Sequence, residues 1–322
     1  MSDLLEKCSV CSALVDEEDL FCSNCGTEAP HERQRDATSQ SMAAHSFECQ
    51  GCGASMSYDA SAQNLRCPFC SSERLDKRKV KKALAPQAVI PLQVHQGQAE
   101  RIMRQWLGSS FWRPSDLAQS AAVTRMTPVY VPYWVFEATT YTYWTADTSQ
   151  TPAGARGDWY PLAGEHRGRY AGLLVGASGA LTPQETSAIC PFQLAAAVSP
   201  QEIDLDNAIV EQFRVHRKYA RPLARQGLET LETNACMKYV PGRCRNMKVN
   251  TRLQGLSSRP ILLPVWIMAY QYKGKLYRFL LNGQTGKCTG EAPTSLLKIV
   301  LLVLGVVCGL ILLLALLGLA TR

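Results

Sequence analysis

Much of what this chain lacks narrows its reading. Its 322 residues include five histidines, at positions 31, 45, 95, 166 and 216, and no spacing sets any of them beside a nucleophile or a carboxylate. No paired-carboxylate or Ser/His/Asp constellation emerges, so the sequence gives catalysis no support. A phosphate-binding loop is missing as well. The nearest approach, NGQTGKCTGE at 282–291, separates Gly283 from Gly286 by two residues where that loop needs four. It also puts Cys288 where a hydroxyl would hold magnesium, and Pro293 where a helix should begin. The stretch reads instead as a glycine turn ending a strand. The opening MSDLLEKCSV carries acids and a cysteine in place of the apolar run of a secretory signal, so export is not expected.

Basic charge is scarce at one end only. Residues 1–30 hold seven acids against Lys7 alone, within a chain whose formal charge is +7. Residues 31–85 hold nine bases and six acids, with the basic excess gathered in RLDKRKVKK at 74–82. Such asymmetry argues against phosphate contact by the first segment.

Cysteine, by contrast, is plentiful, with thirteen in all. Cys8-x2-Cys11 is followed after ten residues by Cys22-x2-Cys25, and Cys49-x2-Cys52 after fourteen by Cys67-x2-Cys70. Each close pair brackets a tight turn that aims two sulfurs at one point, and two such turns close a tetrahedron around zinc. Two structural zinc ions are therefore expected, one on Cys8, Cys11, Cys22 and Cys25, the other on Cys49, Cys52, Cys67 and Cys70. With every position taken by thiolate, no coordination site remains for substrate. The metal would replace a hydrophobic core that roughly 25 residues cannot build. Cys190, Cys236, Cys244, Cys288 and Cys308 lie outside these pairs. Cys236 and Cys244, with His216, offer a metal site or a thiol switch as an alternative to buried unpaired thiols, which is the plainer reading.

These signals divide the chain into a ribbon at 1–26, a polar flexible linker at 27–46, a second ribbon at 47–72, a basic linker at 73–85 and an α+β body at 86–293. In the body, AVIPLQV (88–94) reads as a strand, and Ala99, Ile102, Met103 and Trp106 fall at helical spacing. Thr182-Pro-Gln-Glu185 and Ser199-Pro-Gln-Glu202 both read as capped helix starts. Asn207 to Tyr219 reads as part of a long helical stretch, which Pro222 should kink or divide. VYVPYW (129–134) echoes ILLPVW (261–266), aligning Pro132 with Pro264 and Trp134 with Trp266. Both tryptophans read as core anchors, and the second strand continues through Gly274 into a β-hairpin.

Residues 299–320, IVLLVLGVVCGLILLLALLGLA, hold no charge over 22 positions. At about 1.5 Å per residue they would cover roughly 33 Å, against a hydrocarbon core of about 30 Å. A transmembrane helix at 296–320 in contact with membrane lipid is the expectation, with Lys287 and Lys298 keeping the bulk of the chain on the cytoplasmic side of the inner membrane. Gly305 and Gly309 would let another helix approach closely. The expected fold class is thus α+β: two N-terminal zinc ribbons, a mixed α+β body with antiparallel β-hairpins, and one C-terminal transmembrane helix.

The strings CSVCSALVDEEDLFCSNCG, Tyr130 to Ala138 and Leu262 to Ser295 resemble an uncharacterised bacterial family of membrane-anchored zinc-ribbon proteins. Its members carry the label of a transcription-factor-IIB-type ribbon or of similarity to the primosomal helicase, although this chain has no ATPase motif. Some relatives resemble membrane partners of PspA-like proteins in phage-shock-type systems, which implies a scaffold or recruitment role in envelope stress. The terminal strand–turn is similar to the ending of PepSY-like domains.

Two functions remain open on these grounds. One is a non-enzymatic adaptor, tail-anchored in the membrane, whose ribbons recruit a cytoplasmic protein. The alternative is a membrane-tethered nucleic-acid binder that uses the ribbons and the basic strip at 77–82. The acidic first ribbon and the thin set of aromatics near the second favour the adaptor.

Overall fold

Two strands far longer than the usual five or six residues carry the architecture. β7 (Ala122–Thr148) and β10 (Cys244–Tyr272) pair antiparallel over nearly their whole length, from Cys244↔Thr148 to Gln271↔Ala122. The computed structural model in which they are seen describes residues 46–57, 66–78, 84–205 and 207–320, with 6–7, 10 and 14–15. Within its last helix it describes side chains as far as Leu310.

Each long strand turns back on a partner. β8 (Tyr160–Gly176) lies along the second half of β7, and β11 (Lys275–Asn282) lies along the end of β10 through a tight turn at Lys273–Gly274. Both turn residues have positive φ, as such a hairpin requires. The order β11–β10–β7–β8 places the two echoing strands side by side, related by an approximate two-fold. Trp134 faces α4 (Arg217–Met237), whereas Trp266 faces α1 (Gln96–Gly108), which the short α2 (Leu117–Ser120) follows.

Both helices begin alike, after Val94-His95 and after Val215-His216, and both bury a row at every fourth residue. The rows are Ala99, Met103, Leu107 in α1 and Ala220, Ala224, Leu228 in α4. Spacing of four keeps a row on one face, which explains why alanine recurs where the helix approaches the sheet most closely.

The rest of the sheet departs from the expected fold class. β9 (Ile209–Glu211) runs parallel to β7 and accepts β4 (Ser55–Ser57) on its other edge; β3 (Ser46–Cys49) and β5 (Leu75–Arg78) come next. β6 (Ala88–Val89) also joins β10 in parallel, and β12 (Cys288–Gly290) ends the opposite edge, giving a mixed sheet of ten strands. The body is therefore not a set of separate antiparallel hairpins, and the second ribbon is woven into its sheet. β1 (Glu6–Lys7) and β2 (Leu14–Val15) form a separate antiparallel pair.

Local expectations fare unevenly. The Thr182 capping box is formed at the start of α3 (Pro183–Ala188), and the Ser199–Glu202 box caps a single 3-10 turn. The predicted helix over 207–219 gives way to strand β9, because its backbone groups pair with both β7 and β4. Helix α4 then starts at Arg217 and continues through Pro222, which lies in its second turn.

The membrane expectation is corrected. Among the described residues no helix is long and apolar enough to cross a membrane. α5 (Leu296–Ala320) is the helix concerned. Its first turn is also tied to the body: the Lys298 ammonium donates to the Arg113 carbonyl at 2.9 Å and lies 5.2 Å over the Phe111 ring. The tail anchor, the lipid contact at 296–320 and the single-pass inner-membrane location with its cytoplasm-facing bulk lose their support. At Gly305 and Gly309 an added Cβ would meet nothing within 4 Å.

Candidate metal centre

The second cysteine set converges. Cys49 Sγ lies 3.5 Å from Cys70 Sγ and Cys52 Sγ 3.5 Å from Cys67 Sγ, and all four sulfurs fall within 4.8 Å of one another. Two turns of the same construction make this possible. In the first, Cys49 N–H donates to the Ala54 carbonyl and Gly53 N–H to the Cys49 carbonyl, both at 2.8 Å. In the second, Cys67 N–H donates to Ser72 and Ser71 N–H to Cys67, both at 2.9 Å. Gly53 (φ 74°) and Ser71 (φ 62°) occupy the same left-handed position, which glycine adopts freely and serine does not.

The thiols behave as one titrating cluster. The Cys67 S–H directed at Cys52 pulls the Cys52 thiol down to about 5, and the same bond drives Cys67 upward. Burial pushes Cys70 up to about 11. A cluster whose deprotonated form needs a cation, with donors this close, suits a bound metal ion. Cys49, Cys52, Cys67 and Cys70 together can hold one. Cys8, Cys11, Cys22 and Cys25 lie outside the described residues, as do His31 and His45 of the linker.

The centre is not a free knob. Cys49, Ala54, Met56, Cys67 and Phe69 share one apolar core with Val129, Val131, Tyr133, Val135 and Ile267 of the long strands. Polar clamps flank this seam. Arg125 donates to the carbonyls of Arg66 (2.9 Å) and Cys67 (3.3 Å), and Arg214 to Glu48 Oε1 (2.8 Å) and Ser55 Oγ (2.6 Å). Glu211 is buried at the junction of β9 with β4, where its Oε1 accepts from Ser178 Oγ, Gly179 N–H and Ala180 N–H. Burial pushes its carboxyl up to about 7, against the pull of those donors. Among the described residues its Oε2 has no hydrogen-bond partner.

Of the basic strip, Lys77 and Arg78 lie in edge strand β5, and 79–83 are outside the described residues. The NGQTGK turn is structural. Asn282 is buried, donates to the carbonyls of Ile189 and Pro191, and accepts from the N–H groups of Gln284 and Thr285. Cys236 and Cys244 both enter a core patch with Trp144 and Val240. The close neighbours of Cys236 are His166 and Glu232 rather than His216, which caps α4. That grouping joins residues 66 apart in different elements, so no local spacing signals it.

No known protein family matches the chain, and no solved structure matches it. Uncharacterized protein YdjG of Bacillus subtilis (strain 168) is 24% identical over 223 residues, covering 66% of this chain and 65% of that relative. The chain thus spans slightly less than two thirds of the curated relative's length.

Proposed function

We propose that the chain is a metal-stapled interaction protein: a zinc ribbon fixes one end of the sheet, and the opposite end offers a face for a protein partner with an acidic surface. Zinc is the ion this reading assigns to Cys49, Cys52, Cys67 and Cys70, since four thiolates suit it and leave no open position for chemistry. The matching spacing of Cys8, Cys11, Cys22 and Cys25 assigns them a second such ion.

One observation carries the docking reading. Where β8, β7 and β10 extend beyond the ribbon, α4 covers one side of the three strands, and on the other side, among the described residues, Tyr143, Thr145, Arg167 and Arg169 stand exposed. Strand alternation brings Arg167, Tyr141 and Arg252 into one cross-strand row, and Arg169, Thr139 and Gln254 into the next. Glu165, Tyr143 and Asn250 form a third row, beside Ala163, Thr145 and Lys248. Tyr143 is 61% exposed, and the Arg167 guanidinium lies 4.8 Å over the Tyr141 ring. Among the described residues Arg167, Arg169, Lys248 and Arg252 make no ion pair. Tyrosine and arginine at the centre of a surface are what protein interfaces concentrate. A shallow groove of about 460 Å³ beside Tyr143 gives the face relief.

Arginine and tyrosine on an open sheet also suit single-stranded nucleic acid. A phosphate track needs an unbroken run of cations, and Glu165 beside Tyr143 interrupts it; a protein partner can set a cation of its own at that point among its acids, which ranks the protein partner first. The scaffold or recruitment role that the sequence resemblance implies favours the same order.

Affinity capture with the full-length protein tests this, comparing wild type with the double variant Arg167→Glu, Arg252→Glu. A partner held by the wild type and weakened at least tenfold by the variant supports the reading. Identical retention by both overturns it. Salt-sensitive oligonucleotide binding abolished by the same variant would assign the face to nucleic acid instead.

A further inference from the structure

The buried row of α4 does not end in alanine and leucine. Continuing at every fourth position, it reaches Glu232 and Cys236, both fully buried and both turned toward the sheet. Opposite them, β8 presents His166 on its inward face, with Nδ1 2.9 Å from Glu232 Oε2. One donor atom from each of the three residues lies within 4.8 Å of the others. Donors bound to a single tetrahedral ion at about 2.0–2.3 Å would stand roughly 3.3–3.8 Å apart, so little closure is needed.

We propose that His166, Glu232 and Cys236 form a further metal centre, holding a divalent transition ion such as zinc through one nitrogen, one oxygen and one sulfur. Unlike the four-thiolate knuckle, it leaves a coordination position for a further ligand.

The surroundings suit this role. Thr140 Oγ1 donates to Glu232 Oε1 at 2.6 Å and itself receives the Gly168 N–H at 3.1 Å, so the carboxylate is held from behind as metal-bound carboxylates are. A Cβ on Gly168 would stand 2.4 Å from Glu232 Oε1, so that strand position has room only for glycine. The His166 side chain keeps 16% exposure while that of Glu232 has none, which marks the side from which an ion and its further ligand would enter. The Tyr239 ring, 5.6 Å from the imidazole, borders that entrance. A plain His–Glu ion pair would account for two of these residues. It gives the adjoining thiol no part, and among the described residues no hydrogen bond to that thiol is found. A metal engages all three, with a soft and a borderline donor beside a carboxylate.

Metal content of the full-length protein, loaded with zinc under reducing conditions and freed of excess, tests the proposal. Cys236→Ser and Glu232→Gln should each bind one ion fewer per chain than the wild type. The loss should add to the one caused by Cys52→Ser at the knuckle. Equal ion counts in the wild type and both variants would overturn it. Should the variants lose their sheet signal in circular dichroism, X-ray absorption on the zinc-loaded wild type decides. Nitrogen and oxygen neighbours beside sulfur support the centre, and sulfur-only coordination removes it.

Discussion

Trp134 and Trp266 make the same hydrogen bond: each indole N–H donates at 2.8 Å to the carbonyl of a valine one residue before a helix cap, Val215 for the first and Val94 for the second. Each tryptophan thereby fixes the entry of the helix that covers its own strand. The echo of VYVPYW in ILLPVW thus extends to the helices themselves, through Val94-His95 and Val215-His216.

Trp134→Phe and Trp266→Phe should cost similar amounts. Each keeps an aromatic ring but leaves a carbonyl without its donor, buried at Val94 and partly buried at Val215, a loss of about 1–3 kcal/mol. Denaturant unfolding of the two variants beside the wild type measures it. A large cost at one site and none at the other would deny the equivalence.

Chelation should loosen more than the knuckle. The cysteine turns share a core with Val129, Val131 and Ile267, so metal removal or Cys52→Ser should expose β7 and β9 as well. Limited proteolysis checks this: new cleavage near residues 209–215 is expected, not only before residue 78. Cleavage confined to the first 78 residues would mean that the sheet holds without its ion.

Gly53→Ala should destabilise without any clash. An added Cβ there meets nothing within 4 Å, so the cost is that of a left-handed backbone alone, about 1–2 kcal/mol. Ser71 already bears a strain of this kind, and Ser71→Gly should relieve part of it. Thermal unfolding of the two variants should shift in opposite directions.

Glu211 should make stability fall as pH rises. Its carboxyl, ordinarily near 4.5, is pushed up to about 7 in the folded chain, so the folded state binds the proton more tightly than the unfolded one. The favourable contribution is full below about 4.5 and is lost progressively as pH climbs through about 7, by up to ~3 kcal/mol. Glu211→Gln should flatten the profile between pH 5 and 8, as read by denaturant midpoints on metal-loaded protein.

The sequence made some of these features legible and hid others for identifiable reasons. The Cys49–Cys70 set is local, and its two-residue spacings carry the geometry within them. The Thr182 capping box and the buried face of α1 are local too, and both are present as read. Residues 207–219 misled because a strand of three residues has too little pattern to outweigh helix formers; tertiary pairing with β7 and β4 decided it. The ribbon's union with the body stayed hidden for the same reason, as its partners lie some 150 residues away. The terminal apolar run misled differently, because composition alone says nothing about how its first turn is tied to Arg113.

The long separation between β4 and β9 orders events during synthesis. The cysteine turns can close on their ion once residue 78 has emerged, whereas β9 and the helix after it arrive later. Until then the apolar side of Met56 and Phe69 stands open to solvent, a sticky surface awaiting its cover. Early metal uptake would hold that half-built hairpin in register, so a shortage of the ion would act first on newly made chains, before finished molecules are touched.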